Sequence, residues 1–189
     1  MRGQAKISLL VILGVIVLAG FYAMTTYNRL VSLRENIPAA WSQVENVLQR
    51  RNDLIPNLVN TVKGYAKHEQ TVFQQVSDAL KSFSRAQTVP DKIAADNQIT
   101  SLLGRIMAIS VQYPNLKADQ QFLRLQDELA GTENRIAVER MRFNEMVREY
   151  NIKVKTFPTS LIARLGGFTP NEAYFKAAPE AQKVPEVKF

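Results

Sequence analysis

His68 stands beside Glu69 in "GYAKHEQTV", and this pair is the nearest the chain comes to the helix of a zinc hydrolase. Such a helix needs a second histidine four residues on, so that two imidazoles on one face converge on the ion. Position 72 is Val72 and the chain has no other histidine, which excludes that chemistry. A diiron bundle would need paired Glu-x-x-His motifs, and none occurs. Cysteine is absent, which removes thiol catalysis, disulfides and zinc ribbons together. No nucleophile elbow or Ser-x-x-Lys pattern offers an activated serine, and Gly166-Gly167 is an isolated pair rather than a phosphate-cradling loop. The residue types point away from an enzyme, with no cofactor and no metal expected.

More informative are the polar residues that interrupt otherwise apolar columns: Arg51, Glu69, Thr132 and Glu139, flanked by Glu133, Arg135 and Arg140. A bundle interior penalises an unpaired charge by several kcal/mol, so these groups must pair across helices or line a wet groove. The first reading is a structural polar network of Arg51, Glu69, Thr132, Glu133, Glu139 and Arg140, in which Arg51 pairs with Glu133 or Glu139. The competing reading is a wet Arg/Glu site of an enzyme or hydrolase accessory; a lipid- or solute-binding bundle is a third. His68 flanks the core-facing column and reads as a partly buried, hydrogen-bonded histidine ahead of a pH switch.

The columns themselves follow a heptad. Trp41, Leu48, Ile55, Val62, Glu69, Val76 and Phe83 form one; Val44, Arg51, Leu58, Tyr65, Val72 and Ala79 form the other. Val59, Ala66, Phe73 and Leu80 widen the stripe to the face of a bundle helix. The phase passes Pro56 and Gly64, both on the polar outer face, and predicts one helix of roughly 45 residues, about 70 Å long, starting near Pro38. Pro56 and Gly64 then mark a possible packing surface, because a glycine leaves bare backbone where another surface can approach.

"SRAQTVPDK" at 84 to 92 is the clearest turn. A shorter helix follows from about Asp91 to Tyr113, closed by "YPNL". A further column, Phe122, Leu129, Ile136, Phe143, Tyr150 and Phe157, predicts a helix to Thr156 that Gly131 does not split. From Phe157, Pro158, Gly166, Gly167, Pro170, Pro179 and Pro185 limit the tail to short helical turns, with aromatic anchors at Phe157, Phe168, Tyr174, Phe175 and Phe189. "YNRLV" at 27 to 31 is weakly echoed by "FNEMV" at 143 to 147. No strand-like alternation occurs.

At the other end, Ile7 to Met24 is 18 residues without a charge, enough to cross about 30 Å of hydrocarbon. Ile7, Leu10, Leu13, Val17 and Phe21 represent this membrane anchor, and Phe21, Tyr22 and Tyr27 supply an aromatic belt. Arg2 and Lys6 also fit the front of a cleaved signal peptide, but the run is long for one and "LAGFYAMTT" lacks a small-x-small site. Setting Arg2 and Lys6 aside leaves 22 basic against 17 acidic residues, an excess that suits an anionic membrane surface. The basic residues form no stripe with interleaved aromatics, so nucleic acid is not an expected partner.

"YNRLVSLRENIPAAWSQVENVLQRRNDLIPNLVNTVKGYAKHE", "YPNLKADQQFLRLQDELAGTENRIAVERMRFNEMVREYN", "FPTSLIARLGGF" and the closing "VPEVKF" resemble, in order and over essentially the whole chain, the LemA family. The resemblance implies a single-pass membrane protein with an up-and-down helical bundle, associated in broad terms with envelope and membrane organisation. It brings no agreed activity, substrate or cofactor, and so no site residues to carry over.

The expectation is therefore an all-α protein: an N-terminal membrane anchor (1–26), an antiparallel bundle of long helices (27–157) and an irregular aromatic C-terminal tail (158–189). Its expected role is that of a scaffold or adaptor. Its expected partners are the lipid bilayer, further copies of itself and another membrane protein. It is placed in the bacterial inner membrane, with the body on the extracytoplasmic side.

Overall fold

Helix α1, Arg2–Tyr65, runs unbroken from the apolar segment through Pro38 and Pro56. The structure, a computed structural model, describes residues 2–175, with side chains from residue 9; Pro179, Pro185, Phe189 and the "VPEVKF" motif lie outside the described residues. The remaining helices are α2 (Gln70–Arg85), α3 (Val89–Gln112), α4 (Pro114–Lys117), α5 (Gln120–Lys155) and α6 (Thr159–Leu165). There is no strand among the described residues.

Two boundaries differ from expectation. No new helix begins at Pro38: α1 runs through this residue, which is exposed, so the ring stands on the solvent side of the helix, where a missing N–H disturbs it little. The expected 45-residue helix instead ends at Tyr65, and Ala66 to Glu69 turn the chain into α2. Ala66 N–H donates to Val62 O at 2.9 Å, and Glu69 N–H donates to Ala66 O at 3.2 Å. Glu69, the interruption in the first heptad column, is the residue that precedes α2. The columns pass through the turn because periodicity reports which residues face the core, and both helices face the same one: Leu48, Ile55 and Val62 before it, Val76 and Phe83 after it, are all buried.

The chain divides into two compact units. One comprises Trp41–Asn144 and the described residues from Ala173. Its helix directions follow from side-chain pairs. Glu45 meets Lys92 and Arg51 meets Asp96, so α1 and α3 run the same way; Trp41 meets Phe143 and Arg51 meets Glu133, so α5 runs oppositely. Arg105 Nη1 donates to Gln75 Oε1 at 2.7 Å across the α2–α3 hairpin. The result is an up-and-down bundle around Val44, Leu58, Phe73, Ile106, Phe122 and Ile136. At the hairpin, Thr88 Oγ1 caps α3 by accepting from Asp91 N–H at 3.2 Å, with Pro90 in the first turn. At one end of the bundle, Asp119 Oδ1 accepts from Phe122 N–H at 2.9 Å, capping α5, and Asp119 Oδ2 accepts the Tyr65 hydroxyl at 2.8 Å. That hydrogen bond raises the Tyr65 pKa, while the Phe122 N–H and then the Tyr65 hydroxyl hold Asp119 below the usual carboxylate range.

Gly131 lies on the exposed side of α5, and a Cβ added there meets nothing within 4 Å. Gly131→Ala is expected to raise stability by about 0.5–1 kcal/mol through helix propensity alone, read as a higher urea midpoint.

The other unit comprises the chain to Ala40 and Glu145–Glu172. Leu30, Leu33 and Ile37 of α1 pack here, with Val147, Tyr150, Val154, Ala163 and Phe168 also buried. Helix α6 ends at Gly166-Gly167; Gly167 has φ 71°, and Phe168 N–H returns to Ala163 O at 2.9 Å. That turn lays Phe168 edge-on against Tyr27, with ring centroids 5.4 Å apart, and beneath Arg34. Within this unit, Leu10, Leu13, Val17 and Phe21 are all more than half exposed. By length and composition the N-terminal part of α1 is apolar enough to cross a membrane. Ile7 belongs to α1, but its side chain lies outside the described residues.

Candidate functional site

Arg51 is the largest fully buried side chain among the described residues, brought inside because it occupies a core column of α1. Its Nη1 donates to Glu133 Oε1 of α5 at 2.7 Å and to Thr100 Oγ1 of α3 at 3.0 Å, and its Nη2 pairs with Asp96 of α3. Asp96, also fully buried, gives its other oxygen to Arg140 of α5. The Thr100 hydroxyl in turn donates to Asp96 O at 3.0 Å, one turn back along α3. Arg140 lies 4.9 Å over the ring of Phe175, which stacks on Trp41 and meets Phe143 edge-on.

Two guanidiniums and two carboxylates make the cluster neutral, and Asp96 bridges both cations. Such an arrangement offsets the desolvation of each charge by its partner and fixes how three helices sit in register. Each of its carboxylates is engaged by an arginine. Among the described residues no three His, Asp or Glu side chains converge as a metal would require.

The structure thus brings Arg51, Glu133 and Arg140 together and separates the other three residues expected in the network. Thr132 is buried but turns its Oγ1 to Glu128 O of its own helix at 2.8 Å. Glu139 accepts from Arg142 Nη1 at 2.8 Å, one turn along α5. Glu69 is at the α1–α2 turn, where its side chain makes no capping hydrogen bond. His68 is exposed in that turn rather than partly buried, because the chain reverses where the heptad pattern placed it beside the core. Pro56 and Gly64 are both exposed, and a Cβ added at Gly64 meets nothing within 4 Å.

Asp96 is the functional partner that column reading missed. It precedes the buried Ile99 by three residues and Leu103 by seven, so it occupies a core position of α3 that only a carboxylate facing Arg51 accounts for.

A second device holds the tail. Within the bundle unit, Asn144 Nδ2 donates to Phe175 O and its Oδ1 accepts Phe175 N–H, both at 2.9 Å. In the other unit, Asn151 does the same to Asn171, at 2.7 and 2.8 Å. Each amide imitates a peptide group and reads one residue of extended backbone. The sequence signal is a repeated aromatic-Asn pair, Phe143-Asn144 and Tyr150-Asn151, seven residues apart. Asn151→Ala is expected to cost about 1–3 kcal/mol, two hydrogen bonds' worth, and to expose residues 169–172 to limited proteolysis. Tyr150 adds a hydroxyl donated to Thr169 O at 2.9 Å; burial raises its pKa, against a smaller lowering by Arg34. The raised folded value means that this contribution is complete below the unfolded value of about 10 and is lost as pH rises above it. Tyr150→Phe is therefore expected to be less stable by about 0.5–1.5 kcal/mol at pH 8, with the gap closing above pH 10 in thermal melts.

The LemA family model matches residues 40–189, which takes in the whole charge cluster and both asparagine clamps. The chain belongs to the LemA family. It is 27% identical to the magnetosome protein MamQ of Magnetospirillum gryphiswaldense, over 94% of this chain and 75% of that one. It is 26% identical, with the same coverage, to magnetosome protein MamQ 2 of Paramagnetospirillum magneticum. Protein LemA of Metamycoplasma hominis is 24% identical over 72% of this chain and 63% of its own length. The apolar segment of α1 precedes the part matched by the family model, so its fitness to cross a membrane rests on its own length and composition.

Proposed function

We propose that this LemA-family protein is a non-enzymatic, single-pass anchored helical bundle of the bacterial cell membrane. It acts as a scaffold or adaptor by self-association, with another membrane protein as the alternative partner. The observation that carries the reading is the continuity of α1. The exposed apolar segment and the segment that supplies Val44, Leu48 and Ile55 to the bundle core are one helix. A cleavage after the apolar run would cut that helix inside its own hydrogen-bonded ladder, which favours a retained anchor over a leader peptide.

The interior supports the same reading. Its charges are consumed in mutual pairing, which leaves the outer faces as the surface on which the protein acts. Pro56 and Gly64 lie on such a face and offer a shallow approach to α1. The likeness to proteins named for the magnetosome adds the expectation of attachment to a cellular structure. Native mass measurement and negative-stain microscopy of the detergent-extracted chain test the proposal. Discrete oligomers that grow with concentration are expected, and a strictly monomeric particle at every concentration sinks self-association. Reporter fusions at the C-terminus are expected to place the body outside the cytoplasm.

A further inference from the structure

Phe157 stands two residues ahead of α6, and Leu161 and Leu165 follow within that short helix, four apart and so on one side of it. They are 75%, 54% and 90% exposed, while Ala163 on the other side is fully buried. A side chain as large as Leu165 left almost wholly in solvent, beside two others, marks a contact surface. Its occupant follows from position. A cleft of about 280 Å³ is lined by Tyr22, Thr25, Thr26 and Arg29 of α1, Lys153 of α5 and Thr159, the first residue of α6. The start of α6 therefore lies against α1 where the uncharged run ends at Met24. The surrounding charge is basic: Arg29 and Lys153 line the cleft, with Arg29 also 3.7 Å from Glu149, and Lys155 and Arg164 are exposed nearby in sequence.

We propose that the corner from Phe157 to Leu165 is a second membrane contact. Its three apolar side chains seat at the headgroup–acyl boundary of the bilayer that α1 crosses, and Arg29 and Lys153 face the phosphates of anionic phospholipids in the cleft. A helix of seven residues is too short to hold a membrane alone, but the adjoining anchor makes the contact intramolecular, so little affinity is needed. This inference rests on α1 being a retained anchor.

The chain has no cysteine, so single-cysteine variants carry an environment-sensitive fluorophore without background. Leu161→Cys, Leu165→Cys and Arg164→Cys, with Ser32→Cys as an exposed control, are labelled in the full chain. They are reconstituted into phosphatidylcholine vesicles with and without phosphatidylglycerol. Labels at 161 and 165 are expected to emit blue-shifted light and to be quenched by spin-labelled lipid several-fold more than those at 164 and 32. Equal lipid quenching at 164 and 165 overturns the proposal, as does a blue shift at 165 that lipid quenchers do not touch, the signature of a second protein copy. Arg29→Gln with Lys153→Gln is expected to weaken quenching at 165 only when phosphatidylglycerol is present; no change there removes the headgroup part. Flotation of the same samples separates the two readings. A chain that floats with an aqueous label at 165 refutes the corner alone, and a chain that fails to float refutes the anchor and the corner with it.

Discussion

Asp96→Ala is expected to destabilise the bundle by about 3–5 kcal/mol, more than any other single change in the charge cluster. The reason is the position of Asp96 between two guanidiniums. Its loss leaves Arg51, fully buried, with Glu133 and Thr100 only, and deprives Arg140 of its carboxylate. Arg51→Met is expected to cost distinctly less. Asp96 then keeps Arg140, and Glu133, whose side chain is 38% exposed, turns to water at little expense. A methionine also fills much of the vacated space. The double variant Arg51→Met with Asp96→Leu removes the central pair together and is expected to lie closer to the parent than Asp96→Ala does, because no charge is stranded. Urea unfolding of the detergent-solubilised chain, followed by helical circular dichroism, measures all three. Should Asp96→Ala cost less than about 1 kcal/mol, or the double variant be merely the sum of the singles, the cluster is not the coupled unit described.

What the sequence disclosed and what it withheld divide along a physical line. Heptad columns named the buried residues of α1, α2 and α5 with few errors, since burial depends on the local angle around each helix. Val44, Leu48, Phe122, Ile136 and Phe143 are all inside. The same columns were silent on direction, and the reversal at Ala66 to Glu69 kept the phase while ending the helix. Proline misled once, at Pro38, which sits on a solvent face where a lost hydrogen bond disturbs the helix little; Pro56 and Gly131 lie on such faces too, and the helices run through them as the unbroken phase implied.

For the charge cluster, Arg51 was conspicuous because arginine interrupts an apolar column, whereas Asp96 stood in a helix with a less regular stripe. Glu133 and Glu139 were equal candidates in sequence, and only the bundle geometry selects the acid that reaches Arg51. Residues 166–175 were legible in composition but not in placement. Gly166-Gly167 announced a turn; that it returns Phe168 to Tyr27, and that asparagines hold the backbone beyond it, depends on contacts distant in sequence.

Phe143→Ala carries the largest effect expected outside the charge cluster. Phe143 is 1% exposed and meets two aromatic neighbours edge-on, Trp41 at 5.5 Å and Phe175 at 5.8 Å between ring centroids. Truncation forfeits the burial of the ring and leaves a cavity that α1 and α5, tied nearby by the Arg51–Glu133 pair, close only in part. The expected cost is about 3–5 kcal/mol. Trp41, the only tryptophan, reports the loss directly: water entering beside it shifts its emission to the red before the bundle unfolds. Phe175→Ala separates the two consequences. Phe175 is only half-buried, so its removal is expected to produce much of the red shift and to strip Arg140 of its aromatic face at a smaller cost in stability. If instead both variants melt alike, the ring of Phe143 packs no more tightly than the tail residue that covers it. The aromatic cluster would then be a lid over the charge cluster rather than part of the core that holds Asp96 between its two arginines.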